Sequence, residues 1–395
     1  MTEHTTDALP GLPTVKSCPY LPADGYRPSR RPGGGAVTKV RLPDGHEAWA
    51  VTGYAEGRAL LADPRLTADR THPGSPLPLP DVPGPRTRPM LLGAEGKEHQ
   101  RQRRALISAF TVRRVTALRP RFEQLANDRL DTLLAAGPPA DLVSGFALPV
   151  PSLAICELLG VPYEDRAFFE RQARLRHDPE HAPQAMAELN GYLDALVRTK
   201  QSAPGDGLID DLLAHQVKQG TIDRDEVVGL ALVLLIAGHV TTSGMISLGT
   251  LALLEHPDQL AAVRSGTLAL PGAVEELLRY VSSEGLLPRV AIEDVEIGGR
   301  LIREGDGVLI VTSVANRDER LLDRPLELDV HRPAGQHLTF GHGIHQCLGQ
   351  NLARAELETA FRALFTRIPS LTLAVPAGEL TTTRGSGLTR LPVTW

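Results

Sequence analysis

A mainly α-helical fold with small β-sheets is predicted by three features of this chain. Helical periodicity runs from about Glu98 to Leu254 and breaks only where Gly and Pro cluster. Short alternating runs, the mark of strands, lie nearer the two ends. A further helix is expected directly after Cys347, with Leu348, Leu352, Ala355, Ala360, Phe361 and Leu364 on one apolar face. The 395 residues, 42% of them hydrophobic, suffice for a large core.

Taken in order, residues 1–35 are rich in Pro and Gly and read as an irregular N-terminal segment, while 36–395 read as one domain. Thr38–Leu42 and Glu47–Val51 alternate like strands around the turn Pro43-Asp44-Gly45. Residues 72–93 hold many prolines and no period, so a long loop of functional type is expected there. The helical region should break at Gly137-Pro138-Pro139, Gly160-Val161-Pro162 and Ala203–Gly207. Helical periodicity returns over Gly272–Val281, and short strands are expected at Val295–Ile297, Val308–Val311, Leu371–Val375 and Leu391–Val393. No internal repeat is visible.

Composition removes several function classes. Net charge is only −5, charged residues make up 23% and aromatics 4%, which fits neither a nucleic-acid binder nor a disordered acidic chain. The three cysteines, Cys18, Cys156 and Cys347, are too far apart for a redox pair or disulfide framework, as in a reducing cytoplasm. The N-terminus has no basic start followed by an apolar run, so no signal peptide is expected. Val227–Leu254 is long enough to raise the membrane question, but His239, Thr241, Thr242, Ser243 and Ser247 interrupt it. A helix buried in a cytoplasmic protein, with no membrane partner, is the expectation.

The most informative segment is Phe340-Gly341-His342-Gly343-Ile344-His345-Gln346-Cys347-Leu348-Gly349. A thiolate ahead of a helix gains free backbone N–H donors and the positive end of the dipole. Glycines let the backbone approach a flat, bulky ligand, and Phe340 could shield the sulfur. A buried structural cysteine would fit too, as would zinc held by His337, His342, His345 and Cys347, although their spacing matches no common zinc module.

This segment resembles the haem-binding signature of the cytochrome P-450 family, Phe-x-x-Gly-x-His/Arg-x-Cys-x-Gly, and matches every fixed position. The resemblance implies the cytochrome P-450 fold over 36–395. Haem b (iron protoporphyrin IX) would lie between the long central helix and the helix after the cysteine loop. Cys347 would be the metal ligand, and Phe340, Gly341, His345 and Gly349 would line the cofactor, His345 meeting a propionate.

Three further segments match in order. Glu276-Leu277-Leu278-Arg279 could be an ordinary helical ion pair; in the family, the pair is completed by an arginine before the haem loop, a place held here by Arg332. His99 and Arg103 share a helix face and suit carboxylates; the resemblance assigns both, with Arg289, to the propionates. Ala237-Gly238-His239-Val240-Thr241-Thr242 places a hydroxyl that can open the helix and hold water, and Thr241 falls on the family's oxygen-activating threonine, with Thr242 beside it.

The chain departs from the pattern at Val240, where the family usually has an acid. Valine cannot relay a proton, so protons are expected through Thr241, Thr242 and water, or through a substrate hydroxyl. The apolar pocket should draw on segment 72–93, including Leu92, on Ile236, Ala237 and Val240, and on Gly285, Leu286 and Leu287. No flavin- or nicotinamide-binding unit is evident. A likeness to soluble bacterial members therefore implies O2 and electrons from a ferredoxin with its reductase. Arg103, Arg104, Arg113, Arg114 and Arg354 are candidates for a basic docking patch. The expected activity is hydroxylation, epoxidation or oxidative coupling of a small hydrophobic secondary metabolite by a monomer. The alternatives are a haem-binding ligand sensor or carrier without catalysis, suggested by Val240, and a zinc hydrolase.

Overall fold

The structure, a computed structural model of the chain, describes residues 9–26, 35–77, 89–175, 180–266, 269–281, 283, 285–333, 335–382 and 387–395. Its frame is helical. The helices are α1 (Tyr54–Ala62), α2 (Gly96–Leu106), α3 (Val112–Ala136), α4 (Pro149–Leu159), α5 (Arg166–Leu175), α6 (Ala182–Ser202), α7 (Leu208–Asp211), α8 (Arg224–Glu255), α9 (Pro257–Arg264), α10 (Leu270–Val281), α11 (Thr312–Ala315) and α12 (Gln350–Arg367). The strands are β1 (Val37–Arg41), β2 (Glu47–Val51), β3 (Leu66–Thr67), β4 (Ala140–Asp141), β5 (Leu287–Ala291), β6 (Val295–Ile297), β7 (Arg300–Ile302), β8 (Gly307–Ile310), β9 (Thr372–Leu373) and β10 (Pro392–Thr394).

The largest sheet has the order β1-β2-β8-β5-β3. Its first hairpin pairs Val37 with Val51 around the expected turn, and β2 runs parallel to β8. β4, β10 and β9 form a second sheet, and β6 with β7 a hairpin. The proposed loop 72–93 is turn-like over 72–77, and 78–88 lies outside the described residues.

Central to the fold is α8. Asp223 and Glu226 close a capping box at its start, with reciprocal bonds of 2.8 and 2.9 Å. It is long and apolar enough to cross a membrane by length and composition alone. Here, however, Thr242–Leu253 is wholly buried, packed with residues of α3, α10, α12 and β10 in one core. The other half of α8 shares a second core with α2, α4 and α6.

The expected breaks fall at the ends of α3, α4 and α6. The expected strand Leu371–Val375 shrinks to the two residues of β9, and that at Leu391–Val393 shifts by one residue to β10. The reading of the sequence did not mark α1, α9, α11 or β5.

Candidate functional site

The cysteine loop is built by its own backbone. Gly341 and Gly343 take φ of 68° and 76°, the left-handed region that favours glycine. At Gly343 a Cβ would also lie 2.5 Å from the Leu61 carbonyl of α1. The chain then turns through Gly343–His345, and the Cys347 N–H donates to the Phe340 carbonyl at 2.8 Å. α12 starts three residues later, with Gly349 as its N-cap.

Cys347 has exposed surface, yet burial pushes its thiol pKa up, against the Gly349 N–H and the charges of Arg103 and Arg354. Phe340 is held under the Arg354 guanidinium at 4.6 Å. Arg354 donates to Glu275 at 2.5 and 3.1 Å, and His337 meets the same carboxylate at 3.2 Å. Burial pushes the Glu275 carboxyl up, but His337 and Arg354 outweigh it and bring it to about 2.

Cationic and polar donors gather beside the loop. The rings of His99 and His345 lie 4.2 Å apart. His99 is 1% exposed and its Nδ1 has no hydrogen-bond partner; burial, with the charges of His345 and Arg103, pushes its pKa down to about 4. Arg289 is buried in β5, where its guanidinium donates to the adjacent Pro288 carbonyl at 2.7 Å. Burial lowers its pKa against the charge of Glu95, and burial likewise lowers that of Arg103. A buried polar nitrogen without a partner is costly, so this constellation fits a bound anion. The donor set suits haem carboxylates.

Glu95 also enters this cluster and was not foreseen. It accepts from Thr67 and the Ala68 N–H at 2.9 and 2.5 Å and meets His345 at 3.2 Å. Burial raises its pKa, but these partners prevail and hold it at about 2. Its position at the N-cap of α2 was a usable signal, since carboxylates favour helix starts.

On α8, Ile236, Ala237, Val240 and Thr241 are half-buried, whereas Thr242 is buried. The Thr241 hydroxyl donates to the Ala237 carbonyl at 2.9 Å, the backbone bond expected of a hydroxyl one turn on. Leu287 lies beside the cysteine loop, 3.7 Å from where a Cβ on Gly341 would stand. Leu286 packs on the sheet core, and a Cβ on Gly285 would stand 3.3 Å from Ser313. Leu92 is 59% exposed, with Leu91 buried instead. Leu91 is the residue tied in place, its N–H donating to Gln102 at 2.6 Å.

The three structural candidates come together. Arg279 donates to Glu276 twice at 2.7 Å, and Arg332 reaches Glu276 at 3.4 Å. The zinc alternative finds no support: His337 and His345 are engaged with Glu275 and Glu95, and among the described residues no group of His, Cys, Asp and Glu could hold a metal. The basic patch is smaller than expected. Arg103 is half-buried within the site, Arg354 is bound to Glu275, and Arg114 bonds the Asp206 carbonyl. Arg104 and Arg113 remain exposed.

Comparison with known proteins matches residues 269–368 to the cytochrome P450 family model. Pentalenic acid synthase of Streptomyces avermitilis is 51% identical over 405 residues, covering 100% of both chains. Vitamin D3 dihydroxylase of Streptomyces griseolus is 48% identical over 402 residues, covering 100% of this chain and 98% of its own. The crystal structure of cytochrome P450 MoxA from Nonomuraea recticatena is similar with a TM-score of 0.90, 44% identity and 98% of each chain covered.

Proposed function

The chain belongs to the cytochrome P450 family, and from that premise we propose that it oxidises a hydrophobic secondary metabolite at a haem ligated by Cys347, using electrons from a ferredoxin. The class is plain: the protein is a monooxygenase with haem b as its cofactor, it draws electrons from a redox partner, and its actinobacterial relatives include a synthase and hydroxylases. Those relatives leave the sensor or carrier alternative with Val240 as its sole argument.

The observation that carries the site assignment is the pair of buried, under-partnered donors, His99 and Arg289, near an exposed cysteine whose loop carries His345. Haem, when bound, supplies the oxygen-binding and oxygen-activating chemistry. Cys347 gives up its thiol proton to act as ligand, assisted by the Gly349 N–H and the charges of Arg103 and Arg354. His99, Arg103, Arg289 and His345 hold the propionates. Phe340, Gly341 and Gly349 shape the floor and keep water from the sulfur. Ile236, Ala237, Val240, Leu286 and Leu287 present apolar surface that binds substrate and excludes water, with Gly285 leaving room. Exposed Leu92 fits that role only if substrate covers it. The Thr241 hydroxyl holds a proton donor on the oxygen side.

The reduced, carbon-monoxide-bound absorption spectrum tests the ligand. Wild type should show the red-shifted thiolate band, and Cys347→Ala should lose it; iron retained unchanged in that variant would refute the assignment. A screen of secondary metabolites for haem spin-state shifts, followed by turnover with ferredoxin and reductase, tests the substrate class. Arg104→Glu with Arg113→Glu should slow reduction by ferredoxin and flatten its dependence on salt. A cytoplasmic monomer is the form in which we place this activity.

A further inference from the structure

Gln102 on α2 is 0% exposed, and most of its hydrogen-bonding capacity goes to one short stretch of chain. Its Oε1 accepts from the Leu91 N–H at 2.6 Å. Its Nε2 donates to the Pro89 carbonyl at 3.3 Å and lies 3.7 Å from the Met90 sulfur. The same nitrogen donates to Glu98 at 2.9 Å, which is paired with Arg101 at 2.5 Å. Arg101 in turn donates to Glu226 in the first turn of α8 at 3.0 Å. The clamp on residues 89–91 is therefore braced against α8 itself.

The clamped chain forms a turn, closed by the Gly93 N–H donating to the Met90 carbonyl at 3.1 Å. Leu91, its second residue, takes φ of 35°. Turns with a positive φ there usually place Gly, Asn or Asp at that position. A bulky side chain adopts this conformation only where its surroundings impose it. Here the bond to Gln102 and the burial of Leu91 impose it together. Leu92, next in the turn, is left 59% exposed.

What the clamp fixes is Met90. A Cβ on Gly229 of α8 would stand 3.0 Å from the Met90 Cγ, so Met90 lies against the bare backbone of that helix. Gly229 ends a stripe that leads to the oxygen side of the site. Gly229, Val233, Ile236 and Val240 fall within about 60° of one another around α8 and span about 16 Å along it. All four are half-buried, whereas Leu230, Leu234 and Leu235 between them are buried. The stripe is thus apolar surface that the packing of α8 leaves partly open, with Thr241 beside one end and Met90 across the other.

We propose that Gln102 is a specificity-determining positioning residue, which through Met90 sets the length of apolar substrate that fits along α8. This rests on the monooxygenase reading above and adds a dimension to it: the substrate is an elongated apolar molecule whose far end stops at Met90. Methionine alone makes a poor wall, because its unbranched side chain readily repacks. Fixing its backbone from both sides, at Pro89 and at Leu91, is what makes the stop firm. Gln102 does not touch substrate; it acts through the turn.

The test uses the haem-loaded enzyme and a series of N-alkylimidazoles of rising chain length, whose binding is read from the shift of the haem absorption band. In wild type, Kd should fall roughly fourfold with each added methylene until the chain meets Met90, and then level off or rise. In Met90→Ala this break should move to longer chains. Gln102→Leu keeps the volume but not the hydrogen bonds. In that variant the longest chains should bind at least about tenfold tighter than in wild type, with the Kd of imidazole itself unchanged within about twofold. If Gln102→Leu does not hold haem, Gln102→Met, closer in length, decides by the same criteria. A break left in place in the Gln102 variant overturns the proposal, as does an equal change for imidazole and the longest chains, which is what a merely structural role would give. Absence of any shift with imidazole in wild type would sink the haem reading and the proposal with it; a normal imidazole shift with an unmoved break sinks the proposal alone.

Discussion

A buried imidazole nitrogen with nothing to bond and a buried guanidinium answered mainly by its own neighbour's carbonyl are expensive unless an anion meets them. That cost explains why His99 is placed beside His345, and Arg289 within reach of the charge of Glu95, rather than in a purely apolar wall. A hydrogen bond to a charged group contributes about 1.5–3 kcal/mol. Arg289→Leu should therefore speed haem loss to an excess of apomyoglobin by roughly tenfold to a hundredfold, with the thiolate spectrum of the remaining haem unchanged. An unaltered loss rate would remove Arg289 from the propionate set. His99 was legible in the sequence because it shares a helix face with Arg103 and both types suit carboxylates, whereas Arg289 and His345 came from the family resemblance. Glu95 was only partly legible: its place at the start of α2 suits a carboxylate, but folding brings Thr67, Ala68 and His345 to it.

The cysteine loop, as an element, depends on α1, which the sequence reading missed. Gly57 lowers the helix propensity of that segment. It is there because a Cβ would press on Ile310 at 3.0 Å, a contact only the folded chain contains. β5 was hidden for a similar reason. Leu287-Pro288-Arg289-Val290-Ala291 has no alternation and holds a proline, which demotes it from strand; pairing with β8 and β3 decides its state. α1 in turn presses on the loop at Gly343. Gly343→Ala would meet both a disfavoured φ of 76° and the Leu61 carbonyl, so the variant should purify largely without haem, a deficit read from absorbance per unit protein. Glu275 supports the same loop by a different route. Its carboxyl sits below its ordinary value, so its contribution is present above about pH 4.5 and is lost as pH falls toward 2. Glu275→Gln should lower the melting temperature at pH 7, and the gap to wild type should narrow steadily as pH falls from about 4.5 toward 3. Parallel curves across that range would show that ionisation of Glu275 does not brace Phe340 through Arg354.

At the scale of the whole molecule, the helical core and the segment leading to the cysteine loop are tied together by Arg279, the largest fully buried side chain among the described residues. It leaves α10, grips Glu276 on the preceding turn and donates to the carbonyls of Asn316, Pro325 and Glu327 at 3.1, 2.9 and 3.0 Å. The segment leading to the cysteine loop is fastened by this one guanidinium and by Arg332, which reaches Glu276 and the carbonyls of Asp323 and Arg324. Removing the acid leaves Arg279 charged and buried without its counter-ion, a change that costs about 3–5 kcal/mol. Glu276→Gln should therefore lower the urea midpoint of the holoenzyme markedly without changing the transition slope. The common remedy for a broken buried pair, apolar residues at both positions, should fail here. Glu276→Met with Arg279→Met removes the charge problem but takes the guanidinium from three carbonyls and the carboxylate from the Asp329 N–H, now held by Glu276 at 2.9 Å. The double variant is thus expected to be no more stable than Glu276→Gln. If it instead matched wild type, the pair would be dispensable for folding, and the path from α10 to the cysteine loop would have to be held by the surrounding apolar packing alone.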